Sequence, residues 1–163
     1  MEQALRLALR GQGMTGSNPA VGCVIVSADG AVVGTGWTQS GGRPHAETEA
    51  LGEAGNAARG GTAYVTLEPC AHTGKTAPCA DALVAAGLKS VFFALYDPDP
   101  RVAGRGAEKL RQAGIEVHEG LMRDAAHDVN AGFLSRVSGL RPHVTLKLAV
   151  SKNGFMRTPD GEP

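Results

Sequence analysis

Apolar positions recur along this chain with two different periods. In "EQALRLALR" (2–10), Leu5, Ala8 and Leu9 fall at helical spacing and Gly11 supplies a stop. "AVGCVIVS" (20–27) is a continuous β-branched run, which predicts a buried strand. "ADG" (28–30) is a turn, and "AVVGTGW" (31–37) reads as the hairpin partner of that strand. The helical period returns in "HAETEALGEAGNAAR" (45–59), with Ala46, Ala50, Leu51 and Ala54 on one side and a proline just before the entrance. Thereafter strands and helices alternate: strand 62–68, helix 79–88 closed near Gly87, strand 90–97, helix 107–114 with a glycine stop, a strand in "IEVHEG", and a longer helix at 123–137. Such alternation predicts an α/β sandwich with a largely parallel sheet after residue 45, made mixed by the opening hairpin.

The end of the chain follows another pattern. "HVTLKLAVS" (143–151) alternates like one more strand, but the residues after it are polar and rich in Gly and Pro, with no partner element left. Residues 1–142 are therefore expected to form one domain. Residues 143–163 are expected to be the first strand and loop of a truncated or vestigial second one. If that strand forms, it leaves an exposed edge, and a homo-oligomer is expected.

Composition narrows the function. A length of 163 residues suits one domain. Sixteen basic residues balance sixteen acidic ones, which argues against a partner that reads a wide basic face, such as duplex nucleic acid. Only one Trp, two Tyr and four Phe are present, too few for an aromatic nucleic-acid platform. No apolar stretch is long enough to span a membrane, and the amphipathic N-terminus lacks the apolar core of a signal peptide. Three cysteines, Cys23, Cys70 and Cys79, are not the even framework of a secreted disulfide scaffold. A reduced, cytoplasmic protein is the expectation, with cysteines that ligate metal or lie buried. Cys23, inside an apolar strand, reads as a small buried hydrophobe.

The chemistry gathers at two predicted helix starts. His45 opens one helix and Glu47 follows two residues later; Cys70 ends a strand and Cys79, nine residues on, opens the next helix. One His and two Cys are three zinc ligands of matching softness, and three protein ligands leave a fourth position open, the pattern of a catalytic site. Residues i and i+2 do not share a helix face, so His45 and Glu47 can serve one metal only if it lies near the helix end. Glu47 would then face the fourth ligand, a water whose pKa zinc lowers to about 7, and carry its proton to a leaving group. "HAE" and "PC" fit the H-x-E and P-C-x-x-C signature of zinc nucleobase deaminases, although the second cysteine comes later than that signature places it.

The long loop "PCAHTGKTAPC", with "HAE" upstream, resembles the deaminase domain of the bifunctional riboflavin-biosynthesis deaminase/reductase family, diaminohydroxyphosphoribosylaminopyrimidine deaminases of the cytidine deaminase-like superfamily. "SNPAVGCVIV", "GRPHAE", "YVTLEPC", "DPDPRVAGRG", "LRQAGIEV" and "NAGFLSR" agree, and "RPHVTLKLAVSKNG" is similar to the opening of that family's reductase domain. The resemblance implies a three-layer α/β/α sandwich with a mixed central sheet. It implies Zn2+ on His45, Cys70 and Cys79, and Glu47 as acid/base. The implied substrate is a small ribosylaminopyrimidine phosphate that loses its ring amine as ammonia. It further implies substrate binding by Asn18, His72, Lys75 and Thr76, with Asp97, Asp99 and Arg101 bordering the ribose phosphate. The chain departs from the family pattern at Ser17 (usually proline), Thr38 (histidine), Ala77 (proline) and Asp99 (asparagine). The residues alone leave open a deaminase of another base or nucleotide, or a non-catalytic zinc-stabilised module. Against the second stands Glu47, which a purely structural metal site does not need. "GRG" (104–106) opens a helix, where phosphates can bind, but reads as a turn. His118, His127 and His143 read as structural.

Overall fold

The computed structural model describes residues 1–72, 77–99, 103–139 and 141–156. Five strands form one mixed sheet in the order β2-β1-β3-β4-β5: β1 (Gly22–Val26), β2 (Val32–Trp37), β3 (Thr62–Val65), β4 (Ser90–Phe93) and β5 (Glu116–Glu119). β1 runs antiparallel to both β2 and β3, whereas β3, β4 and β5 run parallel. The predicted hairpin and the parallel half are both present.

Helices cover the two faces. α1 (Glu2–Gly11) lies on β1 and β2, with Ala4 and Leu7 packed on Val24, and α5 (Arg123–Gly139) lies against α1. On the opposite face, α2 (Ala46–Ala54) covers β1 and β2, α3 (Cys79–Ala85) adjoins α2, and α4 (Arg105–Gln112) adjoins α3. The result is a three-layer α/β/α sandwich. Its main core joins Cys23, Ile25, Val65, Val91 and Phe93 of the strands to Ala46, Ala50, Leu83 and Leu110 of the helices. Cys23 is fully buried there, and burial pushes its thiol well above its ordinary pKa, as a buried hydrophobe would show.

Small residues bring α2 close. Gly34 and Gly36 of β2 lie directly under Ala46, Ala50 and Ala54; a Cβ on Gly36 would stand 2.2 Å from the Ala46 carbonyl oxygen, and one on Gly34 would stand 2.1 Å from that of Ala50. α2 is shorter than the pattern 45–59 predicts. It ends at Ala54, where Gly55 turns to φ 50°, and Gly55–Ala58 continue as a 3-10 turn.

The strand expected at 143–151 is not formed. Residues 141–150 have no regular structure, and Val144, Leu146, Leu148 and Val150 are all exposed. A strand needs a neighbouring ladder for its N–H and C=O groups, and none of the described strands pairs with this segment. The edge on which the expectation of an oligomer rested is therefore absent from this structure. No helix among the described residues is long and apolar enough to cross a membrane.

Candidate metal centre and cavity

The parallel half of the sheet sends β3 and β4 toward the same end, and the loops leaving them carry Cys70 and Asp97. His45 caps the N-terminus of α2, and Cys79 is the first residue of α3. These helix starts meet. His45 Nδ1 lies 3.3 Å from Cys79 Sγ and 3.7 Å from Cys70 Sγ, and the three donor atoms all fall within 4.8 Å of one another. Among the described residues this is the one His/Cys/acid group that converges so closely. One imidazole nitrogen and two sulfurs in such a cluster fit Zn2+, and their separation is that of ligands around a single ion.

Electrostatics prepares the sulfurs. The backbone N–H of Cys79 donates to Cys70 Sγ at 3.3 Å. Hydrogen bonding from the Cys79 thiol, then from His45 and this N–H, draws the Cys70 pKa down to about 4 against the opposing effect of burial. Cys79 is pushed up because the proton shared with Cys70 stays on it, and burial adds to this. His45 is raised, chiefly by its hydrogen bond to Cys70. A cation here would take the place of the shared protons.

Glu47 stands in the first turn of α2 and is only 4% exposed. Burial, with the neighbouring Cys70, raises its carboxyl to about 7. A bound cation would pull it back toward the ionised form.

A cavity of about 260 Å³ opens beside this cluster, and His45, Glu47 and Cys70 line it. Of the residues expected to contact substrate, Asn18, His72, Asp97 and Asp99 line the same cavity. Lys75, Thr76 and Arg101 lie outside the described residues. His72 presents a buried Nδ1 with no hydrogen-bond partner among the described residues, an atom left for something the cavity admits. Asn18 is held in a turn: Thr15 Oγ1 donates to its carbonyl at 2.7 Å, and its amide packs so tightly on Gly42 that a Cβ there would come within 2.0 Å. Thr38 also lines the cavity; its hydroxyl accepts the Val21 N–H at 3.0 Å, which ties together two residues of the cavity wall.

The cavity is built with residues that sequence reasoning missed. Phe133 and Arg136 reach it from α5, and Arg136 Nη2 donates to the Ser17 carbonyl at 2.7 Å. Asn130, 2% exposed, clamps Ala20 through both its amide atoms, accepting from the backbone N–H at 2.9 Å and donating to the C=O at 3.0 Å. The helical spacing of Asn130, Phe133 and Arg136 within "NAGFLSR" was the available signal. Arg43 and Glu68 complete the wall, Glu68 directly before the Pro69–Cys70 pair. The α4 start that a phosphate could have used is already filled: Glu68 accepts the N–H groups of Gly104, Gly106 and Ala107. "GRG" is thus not a phosphate cradle. His118 stacks on Phe92 with centroids 4.3 Å apart, away from this site.

Comparison with known proteins gives the same picture. Residues 1–95 match the family described as the cytidine and deoxycytidylate deaminase zinc-binding region, a span that includes His45, Glu47, Cys70 and Cys79. The riboflavin biosynthesis protein RibD of Escherichia coli is 52% identical over 162 residues, covering 99% of this chain and 44% of that protein. In structure, the Thermotoga maritima diaminohydroxyphosphoribosylaminopyrimidine deaminase/5-amino-6-(5-phosphoribosylamino)uracil reductase superposes with a TM-score of 0.90 at 40% identity, over 99% of this chain and 47% of that one. Acinetobacter baumannii RibD superposes at 0.86 with 52% identity, over 93% and 42%. The chain spans less than half the length of these relatives.

Proposed function

The chain belongs to the cytidine and deoxycytidylate deaminase zinc-binding family, and from that membership we propose that it hydrolytically deaminates a ribosylaminopyrimidine phosphate in riboflavin biosynthesis. One observation carries the reading: a His/Cys/Cys group shares a cavity wall with a buried carboxyl, Glu47. Identity to RibD proteins at the level reported above supports the substrate class. His45, Cys70 and Cys79 would hold zinc, which when bound acidifies a water toward a pKa of about 7.

The chain's own residues do the rest. Glu47, in its ionised form, accepts a proton from the attacking water and delivers it to the exocyclic nitrogen. The C–O bond forms and the C–N bond breaks; ammonia leaves with one proton of the water, the other ends on the adjacent ring nitrogen, and the ring keeps a carbonyl. Burial of Glu47 keeps bulk water from competing for that proton. Asn18 and His72 offer hydrogen bonds that orient the pyrimidine, with the unpartnered His72 Nδ1 open to a ring substituent. Phe133 provides an apolar flank. On the strength of the motif, Lys75 stays assigned to the phosphate and Thr76 to the substrate, with Asp97, Asp99 and Arg101 bordering the ribose phosphate.

Residues 1–142 are taken as the deaminase domain and 143–163 as the opening of a reductase-like domain. The alternating apolar pattern of 143–151 supports this, as does the Thermotoga relative, whose name joins a deaminase to a reductase. A homo-oligomer is also proposed, supported now by the open edge of β5 and by the stacked row of half-buried Tyr64 and Phe92 and exposed His118 across the sheet.

The decisive experiment follows ammonia release from the ribosylaminopyrimidine phosphate by the zinc-loaded protein and by Glu47→Ala. The variant should hold one zinc per chain yet lose turnover by at least about a hundredfold, the usual contribution of a positioned acid/base. A variant as active as the parent would remove Glu47 from the mechanism. A parent that holds zinc but releases no ammonia would reject the substrate.

A further inference from the structure

The wall that bears Asp97 and Asp99, with the start of α4 beside it, lies against the loop that carries Cys70, and Glu68 makes the junction. Its side chain is 3% exposed. Oε1 accepts the N–H groups of Gly106 at 3.0 Å and Ala107 at 3.1 Å; Oε2 accepts Gly104 at 2.9 Å and, at longer range, Asp97 at 3.4 Å. All these partners are remote in sequence. The first turn of α4, whose N–H groups have no partner within the helix, is thus closed by a carboxylate from the end of β3. Contact is tight as well as polar: a Cβ on Gly106 would stand 1.9 Å from the Pro69 carbonyl oxygen, so the helix start rests on the backbone next to Cys70. The Glu68 N–H in turn donates to the Leu95 carbonyl at 2.8 Å, two residues before Asp97.

We propose that Glu68 is a positioning residue for substrate binding: its carboxylate locks the cavity wall that bears Asp97 and Asp99 to the wall that bears Cys70, and so sets the width of the cavity. The inference rests on the deaminase reading for its substrate, but not for its geometry. Only a carboxylate meets the need. It offers acceptors on both oxygens, whereas an amide would turn an NH2 group toward one pair of N–H donors and leave them unpaired. Because both Glu68 oxygens are engaged by backbone N–H groups, its loss should weaken binding and leave the chemical step intact.

The test is Glu68→Gln in the full, zinc-loaded chain, with Leu110→Ala as a control that loosens α4 from the core without touching the four N–H groups. Hydrogen exchange read by mass spectrometry should show faster exchange at Asp97, Gly104, Gly106 and Ala107 in Glu68→Gln. KM for the ribosylaminopyrimidine phosphate should rise about tenfold, as expected for lost charge-assisted hydrogen bonds, with kcat within about twofold and one zinc per chain. Leu110→Ala should lower Tm and leave KM unchanged. Unaltered exchange at those amides overturns the proposal. So does a Glu68→Gln variant with lowered Tm and normal KM, which would make Glu68 a helix cap and nothing more. Loss of zinc together with kcat would overturn it too, by making Glu68 a support of Cys70. If the parent itself releases no ammonia, the substrate reading fails, while the exchange rates still decide whether Glu68 holds the wall.

Discussion

Asp97 is nearly buried on the cavity wall, facing Glu68, Asp99 and His72. Burial raises its carboxyl to about 6; the charges of Asp99 and Glu68 add to this, while the Asp99 N–H, 2.9 Å from Oδ1, and His72 oppose it. Because the folded-state pKa lies above the unfolded one, the folded protein binds the proton more tightly. Stability therefore falls as pH rises from about 4 to about 6, and the penalty is constant above that window. Asp97→Asn keeps an oxygen for the Asp99 N–H and removes the penalty. It should be more stable than the parent by about 1 kcal/mol at pH 7, after discounting for partial solvent screening, and equal to it below pH 4. Urea unfolding across that range measures the gap; a gap of zero at pH 7 would mean that the carboxylate ionises without cost. Residues such as His45, Glu47, Cys70 and Cys79 were legible because ligand chemistry and short spacings are written locally. Glu68 was not, since nothing in "LEPC" says that its partners lie about 30 to 40 residues onward.

At the scale of elements, the pattern located every described α-helix and strand up to residue 139, with differences confined to ends, whereas the 3-10 turn Ser40–Gly42 read as plain loop. What it did not reveal is why α2 sits where His45 and Glu47 can reach the cluster. The glycines of "AVVGTGW" look like weak points in a strand, yet Gly34 and Gly36 are the surface on which α2 rests. Gly36→Ala would place a methyl 2.2 Å from the Ala46 carbonyl oxygen and 2.7 Å from Glu49 Cβ. α2 would have to lift, at a cost of at least about 2 kcal/mol as for overpacked cores. The shift would reach His45, so zinc affinity should fall together with Tm. Calorimetry and a zinc titration check both, and an unchanged zinc affinity would show that the first turn of α2 is held from elsewhere. The segment 143–151 failed for the opposite reason. Its alternation is that of a strand, but alternation specifies a face and not a partner.

At the scale of the molecule, the sandwich is complete without the last described residues. Positions 141–156 are exposed throughout, and their hydrogen bonds are few and mostly local, as in the turn from Ser151 to Phe155. Removal of residues 141–163 should leave Tm within about 2 °C of the parent, because the described part of the segment, 141–156, buries no side chain. Light scattering at micromolar concentration should give a mass of at least two chains for both forms; a monomer would reject the proposed oligomer, and association lost with the tail would move the interface there. The sequence by itself determined the layered α/β class and singled out the His45, Cys70 and Cys79 group that converges, with Glu47 close by on α2, because periodicity and spacing act over a few turns of chain. Only the tertiary structure decided which distant segments close the cavity. Asn130 grips Ala20, Arg136 grips Ser17, and Glu68 closes α4. Each is a polar side chain satisfying backbone groups remote in sequence, and such pairings exist only after packing has buried those groups and made leaving them unpaired costly.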